Sequence, residues 1–326
     1  MAPTRISISW CLLAGVLLAA CSRSETAAPV SDAPATDART AMQDNAPAAE
    51  RIATDAYRFR IGELDAVALR DGHIEAANDG ESFVVDRPTA EVAALLAAAG
   101  APTDVLRLDI QPLLVHAGER VLLFDTGAAG VSFARGGQLA ASLQAAGAAP
   151  AAVTDIFISH RHDDHLGGLR AADGSLAFPN ARIHMAAREW ADLQASEDAD
   201  DLVAAIEPQV DAFEPGAELI PGVVTAVVAD GHTPGHSAYR IGTGDDALLY
   251  IGDVMHHFVV SVQRPGWTIA YDHDVPQAKA RREAFLQRAA EAGTRIHAVH
   301  FPFPGLGRFK ATGDGYTWEA EVPDAR

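Results

Sequence analysis

Cysteine is almost absent from this chain. Its two copies, Cys11 and Cys21, both fall within the first 21 of 326 residues. The body beyond them can form no disulfide and offer no thiolate ligand. Any metal site there must be built from imidazoles and carboxylates, which suit zinc, manganese or iron better than softer ions. Basic charge is also scarce, with 25 Lys and Arg against 44 Asp and Glu, for a formal net charge of -19. No basic run or patch is present to neutralise phosphates, which excludes a nucleic-acid partner. A Gly-rich dinucleotide fingerprint is missing, and so is any repeat of fixed period. No apolar run is long enough to span a bilayer as a helix.

The apolar run that does exist is informative. Arg5 gives a positive start, and Cys11 to Ala20 gives a short hydrophobic segment ending in Leu18-Ala19-Ala20-Cys21. This is the pattern of an export signal, and its end resembles a bacterial lipobox, in which the cysteine is lipidated. The sequence therefore predicts a signal peptide over 1–20 and a lipid anchor to a membrane at Cys21, in the periplasm or cell envelope. Ordinary secretory cleavage near Ala20 is the alternative. Residues 21–52 are rich in Ala, Pro, Ser, Thr and Asp, and read as a disordered tether. The folded domain is then expected over 53–326, long enough to bury a full core.

Within that domain strands and helices alternate, the pattern of an α/β fold. Strands are expected at 57–61, 64–69, 113–115, 121–127, 155–159, 182–185, 223–228, 239–241, 247–251 and 295–300. Helices are expected at 88–100, 139–146, 186–195 and 276–292. A turn is expected at Asp71-Gly72.

Between one strand and the next element lies His160-Arg161-His162-Asp163-Asp164-His165. Three imidazoles and a carboxylate at this spacing form a density of metal ligands that packing rarely requires. Asp125, His232, Asp253 and His300 fall at the ends of other expected strands.

Taken together, Asp125-Thr126-Gly127, the His160 to His165 motif, Gly231-His232-Thr233-Pro234-Gly235-His236, Gly252-Asp253 and His300 resemble the metallo-β-lactamase superfamily. The resemblance implies an αβ/βα sandwich with a site along one edge. It implies two divalent metal ions, most naturally zinc, with manganese, iron or cobalt as alternatives. His160, His162 and His232 would hold one ion, Asp164, His165 and His300 the other, and Asp253 would bridge them. The ligand chemistry agrees. Imidazoles at i and i+2 of an extended loop can share an ion with a third from another loop, leaving a position open. A bridging carboxylate offsets the repulsion of two cations. Asp125 is expected to orient a ligand, and His236 to shape the loop after His232.

A finer resemblance, to methyl parathion hydrolase-like enzymes and quorum-quenching lactonases, rests on segments 123–130, 176–181, 252–256, 298–307 and 315–318. It implies a hydrolase in which a hydroxide bridging the metals attacks a neutral small-molecule ester, lactone or phosphotriester. Asp164 or Asp253 would relay the proton, and His256, where many short lactonases carry tyrosine, would contact substrate. A homodimer is compatible with this reading. Trp190, Phe258 and Phe303 are candidate walls of the substrate pocket, with Trp267 a weaker one. His73, His116, His184, His273 and His297 are expected at surface or satisfied positions. The alternatives are a subclass B3-like β-lactamase, which usually lacks the bridging carboxylate, an iron-dependent oxidoreductase, and a non-catalytic metal-binding lipoprotein.

Overall fold

The computed structural model describes residues 56–313 and 315–321. The expected signal peptide, lipidation site and tether, and the boundary at residue 53, lie outside the described residues. Among the described residues, no helix is long and apolar enough to cross a membrane.

Runs such as Leu113-Leu114-Val115 and Leu122-Leu123-Phe124 lack the polar alternation of a half-solvated strand. The structure shows why. Leu113, Val115, Leu122 and Phe124 face one apolar core, while Leu114 and Leu123 face another. Two seven-stranded sheets stack through the first of these cores. One runs in the order Ala56–Ile61, Leu64–Leu69, Leu113–Ala117, Arg120–Phe124, Asp155–Phe157, Arg182–Ala186, Val210–Phe213. The other runs Glu218–Ile220, Val224–Val228, Ser237–Ile241, Leu248–Tyr250, Arg295–His297, Leu306–Thr312, Gly315–Ala320.

Helices cover both outer faces. Leu139–Ala146 and Ala187–Gln194 bury Leu139, Leu143 and Leu193 under the first sheet. Val275–Ala292 buries Phe285, Leu286 and Ala289 under the second. That long helix carries its own limits in sequence. Asp274 accepts a cap bond from the Gln277 N–H, a proline sits in the first turn, and Gly293 closes it at φ 60°. The result is the expected αβ/βα sandwich.

Two tyrosines of the second sheet tie the layers together. Tyr239 Oη donates to the Ile158 carbonyl at 2.5 Å, and Tyr250 Oη to Asp125 at 2.7 Å. A buried phenol needs such a partner.

A third sheet was not expected. Gly72–Ala77 pairs with Val105–Ile110 and with Ala134–Arg135. The expected turn at Asp71-Gly72 runs straight into this strand. Its sequence, GHIEAA, is too polar and too short of β-branched residues to announce itself. The sheet packs with helix Thr89–Ala98 and segment 258–269 into a separate apolar cluster, and it forms one wall of the site.

Candidate metal centre

The expected ligands meet at the ends of strands that carry them to one edge of the sandwich. His160 follows Asp155–Phe157, His232 follows Val224–Val228, Asp253 follows Leu248–Tyr250, and His300 follows Arg295–His297. His162 sits just before the short helix Asp163–Leu166, which presents Asp164 and His165.

The expected ligands form two groups, His160, His162, His232 and Asp253, and Asp164, His165 and His300; a third, His232, His256 and Asp272, overlaps the first. In the first, His162 Nδ1 lies 3.0 Å from both His160 Nε2 and His232 Nε2. Asp253 Oδ2 lies 3.5 Å from His232 Nε2 and 3.8 Å from His160 Nε2. In the second, Asp164 Oδ2 is 3.4 Å from both His165 Nε2 and His300 Nε2. Asp253 Oδ1 is 3.2 Å from His165 Nε2 and 3.1 Å from His300 Nε2. The two oxygens of Asp253 thus face different groups, as a bridge requires.

The partners behind the histidines decide which ring nitrogen faces inward. Asp125, which can only accept, takes His165 Nδ1–H at 2.8 Å. Asp272 takes His232 Nδ1–H at 3.1 Å. The Asp109 carbonyl takes His300 Nδ1–H at 2.7 Å. Ser159 has already donated its hydroxyl proton to Asp125, so it accepts from His160 Nδ1 at 3.1 Å. Four inward Nε2 atoms are therefore left to offer lone pairs. His165 Nε2 and Asp253 Oδ1 are buried with no hydrogen-bond partner. Ligand atoms on a tetrahedral zinc stand about 3.3 Å apart, close to the spacings here. The donor set fits two divalent cations.

Electrostatics gives the same answer. Burial, with the neighbouring His165, holds His160 well below the usual imidazole range, and burial with His232 lowers His162 to about 3. Burial also opposes charge on His165 and His300, but Asp253 and Asp164 overcome it. His165 is raised well above the usual range, and His300 is pushed up to about 10. Burial raises a carboxyl, yet His300 and His165 hold Asp253 well below its ordinary range. The carboxylates collect positive charge at the very atoms that would ligate a cation.

Among the supports, Asp125 and His236 are ones the sequence analysis singles out, whereas Glu189, Asp272 and Arg282 have no signal in the sequence. Asp125 takes a positive φ of 55°, rare for a residue with a side chain. Its carboxylate gathers the Ser159 N–H, the Ser159 and Tyr250 hydroxyls and His165. Glu189, fully buried, accepts from Arg161 N–H, the Thr233 hydroxyl and Gly235 N–H, and so joins the two histidine loops. Arg282, buried in the middle of its helix, donates to Asp272 at 2.8 Å and to the Val254 carbonyl at 3.1 Å. It thereby holds both His232's partner and the segment after Asp253. His236 Nε2 accepts the Asp253 N–H at 2.9 Å, so it shapes the bridging residue as well as its own loop. Gly252 makes room for this: a Cβ there would meet His236 Nε2 at 2.6 Å.

Beside the ligands opens a cavity of about 540 Å³. Its walls are Ile74, Ala76 and Leu108 from the third sheet, with Ser82, Phe133 and Tyr271 from loops. His256 lines it too, buried, with Nε2 3.4 Å from Asp253 Oδ2 and neither ring nitrogen hydrogen-bonded.

The aromatic walls expected from the sequence lie elsewhere. Trp190 packs against the core under the first sheet, because the helix turns Glu189 toward the site and Trp190 away. Phe258 is wedged between two apolar clusters, its ring 4.8 Å from that of His257. Phe303 lies under the Arg70 guanidinium, 4.4 Å from the ring centre. Trp267 is core. Among the remaining histidines, His273 is exposed, His116 half-buried and His184 bonded to Asp155 at 3.0 Å. His73 and His297 depart from expectation: both are buried with no hydrogen bond to either ring nitrogen.

Residues 109–296 match the metallo-beta-lactamase superfamily, and the chain belongs to it. Among solved structures it is similar to AidC, a dizinc quorum-quenching lactonase in complex with a product N-hexanoyl-L-homoserine. The identity is 29%, the TM-score 0.78, and the match covers 82% of this chain and 98% of that one. It is also similar to the hydrolase AbOPH of the beta lactamase superfamily, at 28% identity and TM-score 0.75, over 83% and 98% of the two chains. A probable metal-dependent hydrolase from Staphylococcus aureus shares the fold at 20% identity and TM-score 0.67, over 81% and 100%. No curated protein sequence matches the chain.

Proposed function

We propose that the protein is a dinuclear metal-dependent hydrolase of neutral esters or lactones. The observation that carries this reading is the set of inward lone pairs around Asp253, opening directly onto a cavity. A purely structural metal site would be closed to substrate. Likeness to AidC supports a lactone as the first substrate to test.

When bound, two divalent cations supply a water of lowered pKa and an electrophilic hold on the substrate oxygen. The chain's own groups do the rest. His160, His162 and His232 would hold one ion and Asp164, His165 and His300 the other, with Asp253 placed to serve both. Asp272, Asp125, Ser159 and the Asp109 carbonyl keep the imidazoles in the ligating tautomer. Asp164 and Asp253 both border the cavity, and either carboxylate can take up the proton released in the attack. His256, with neither ring nitrogen hydrogen-bonded, is placed to bind the substrate's carbonyl or leaving oxygen. The low-polarity wall of Ile74, Ala76 and Leu108 limits water around the reacting centre and strengthens these contacts.

The test is a hydrolysis screen of metal-loaded protein against acyl-homoserine lactones, aryl esters, phosphotriesters and β-lactams. Turnover of an ester or lactone that is lost on chelation and restored by metal is expected. Oxygen uptake without hydrolysis would favour the iron oxidoreductase instead. For localisation, we propose export and lipid anchoring at Cys21, on the strength of Leu18-Ala19-Ala20-Cys21. Labelled fatty acid should enter the parent and not Cys21→Ala.

A further inference from the structure

We infer that the cavity discriminates against anionic substrates, and that Asp163, helped by Glu75, sets this preference. The inference rests on the hydrolase reading and narrows its substrate class. The charged side chains lining the cavity, apart from its histidines, are Glu75, Asp163, Asp164 and Asp253; no Lys or Arg lines it. Asp164 and Asp253 belong to the ligand set. Two divalent cations held by two carboxylates leave the floor with an excess of about +2. Such a floor would by itself draw anions. Asp163 and Glu75 oppose that excess from the walls.

Asp163 is the stronger of the two. It stands between the ligands His162 and Asp164, yet its carboxylate is exposed and makes no hydrogen bond or ion pair with any described residue. The adjacent cation, Arg161, pairs directly with Asp192 and offsets Asp163 only from longer range. Glu75 is partly offset by Arg135 at 3.4 Å, whereas His73, 3.6 Å away, is held below the usual imidazole range by burial and brings no charge. A carboxylate on the substrate tail would meet Asp163 with no cation on the wall to receive it. This counts against the β-lactamase alternative, because β-lactam antibiotics carry a carboxylate that needs such a cation. It favours a neutral acyl chain.

The experiment uses two aryl esters of matched size, a butyrate and a hemisuccinate, with metal-loaded protein. The neutral ester is expected to exceed the anionic one in kcat/KM by about tenfold or more at low salt, and the gap should narrow as salt screens the walls. Asp163→Asn should shrink the ratio severalfold, and Asp163→Lys should shrink it further, with metal content measured for each. Glu75→Gln, remote from the ligands, should move the ratio in the same direction and serves if the Asp163 variants lose metal. A parent ratio near one overturns the inference, as does a ratio that these substitutions leave unchanged. If neither ester is hydrolysed, the hydrolase reading falls. Calorimetry with butyramide and succinamate then reads the same discrimination as binding, and equal affinities overturn the inference on their own.

Discussion

The floor and the walls of this cavity are built by opposite rules. The floor is assembled from loops at strand ends, with His160, His165, His232 and His300 each backed by a buried acceptor that fixes its tautomer. The walls come from a small third sheet and three loops, with Phe133 and Tyr271 left half in water. Coordination tolerates few residue types and little displacement, so a floor is confined to a narrow motif. A wall needs only shape and polarity, which many residues supply. Chemistry should therefore fail when the floor is altered, and selectivity should shift when the walls are.

The largest effect is expected from Asp253→Ala. It removes the one group facing both ligand sets and leaves two cations with less charge between them. Activity should fall at least about a hundredfold, with fewer than two metals per chain by elemental analysis. Full retention of both would remove Asp253 from the floor.

His256→Ala tests the boundary between the two regions. This residue is buried beside the ligands, 3.4 Å from Asp253, but neither ring nitrogen is hydrogen-bonded. Two metals should remain, while turnover falls by about 10- to 1,000-fold. Loss of a metal would instead make His256 part of the floor.

Asp272→Asn should be milder. An amide can still accept from His232 Nδ1, but it no longer carries the charge that balances Arg282. Metal affinity should drop by about 10- to 100-fold, with kcat less affected once metal is saturating. Acid should discriminate between the two ligand groups. His165 is raised well above the usual range and His300 lies near 10, so both hold protons at neutral pH that a cation must displace. His160 lies well below the usual range and His162 near 3, so neither holds a proton there. Lowering the pH from 8 to 5 should therefore release the metal of the His165 and His300 group first, as calorimetry at several pH values would read.

The same division explains what could be read from the sequence. The His160 to His165 motif, His232, Asp253 and His300 were legible because ligands must recur as particular residue types at fixed offsets. So were the long apolar strands, buried on both faces. Asp272, Glu189 and Arg282 were not, because a buried acceptor or donor acquires its role from what lies opposite in space, and nothing in the adjacent sequence marks it. The aromatic walls misled for a related reason. Trp190 is a large apolar residue near the motif, but helix phase turned it into the core while Glu189 took the inward position. The strand Gly72–Ala77 contributes Ile74 and Ala76 to the cavity, yet its alternation is weak and its partners lie about 30 and 60 residues further along the chain.

The smallest expected effect concerns the mouth. Phe133 is 52% exposed and Tyr271 51% exposed, an unusual state for large aromatics, and both line the cavity. A substrate tail lying across them would remove apolar surface from water. At roughly 25 cal/mol per Å², covering about 50 Å² on one ring contributes on the order of 1 kcal/mol. Phe133→Ala and Tyr271→Ala should each raise KM for a long-tailed ester or lactone by about fivefold. For the acetyl analogue, which does not reach the mouth, KM should stay within about twofold, and kcat should hold for both, since neither ring belongs to the ligand groups. Initial-rate kinetics across a series of tail lengths would show the penalty growing with the tail and then levelling once the rings are covered. An equal penalty at every length would mean that the rings shape the loops and do not hold the tail. A fall in kcat would mean that wall and floor are coupled more tightly than their construction implies.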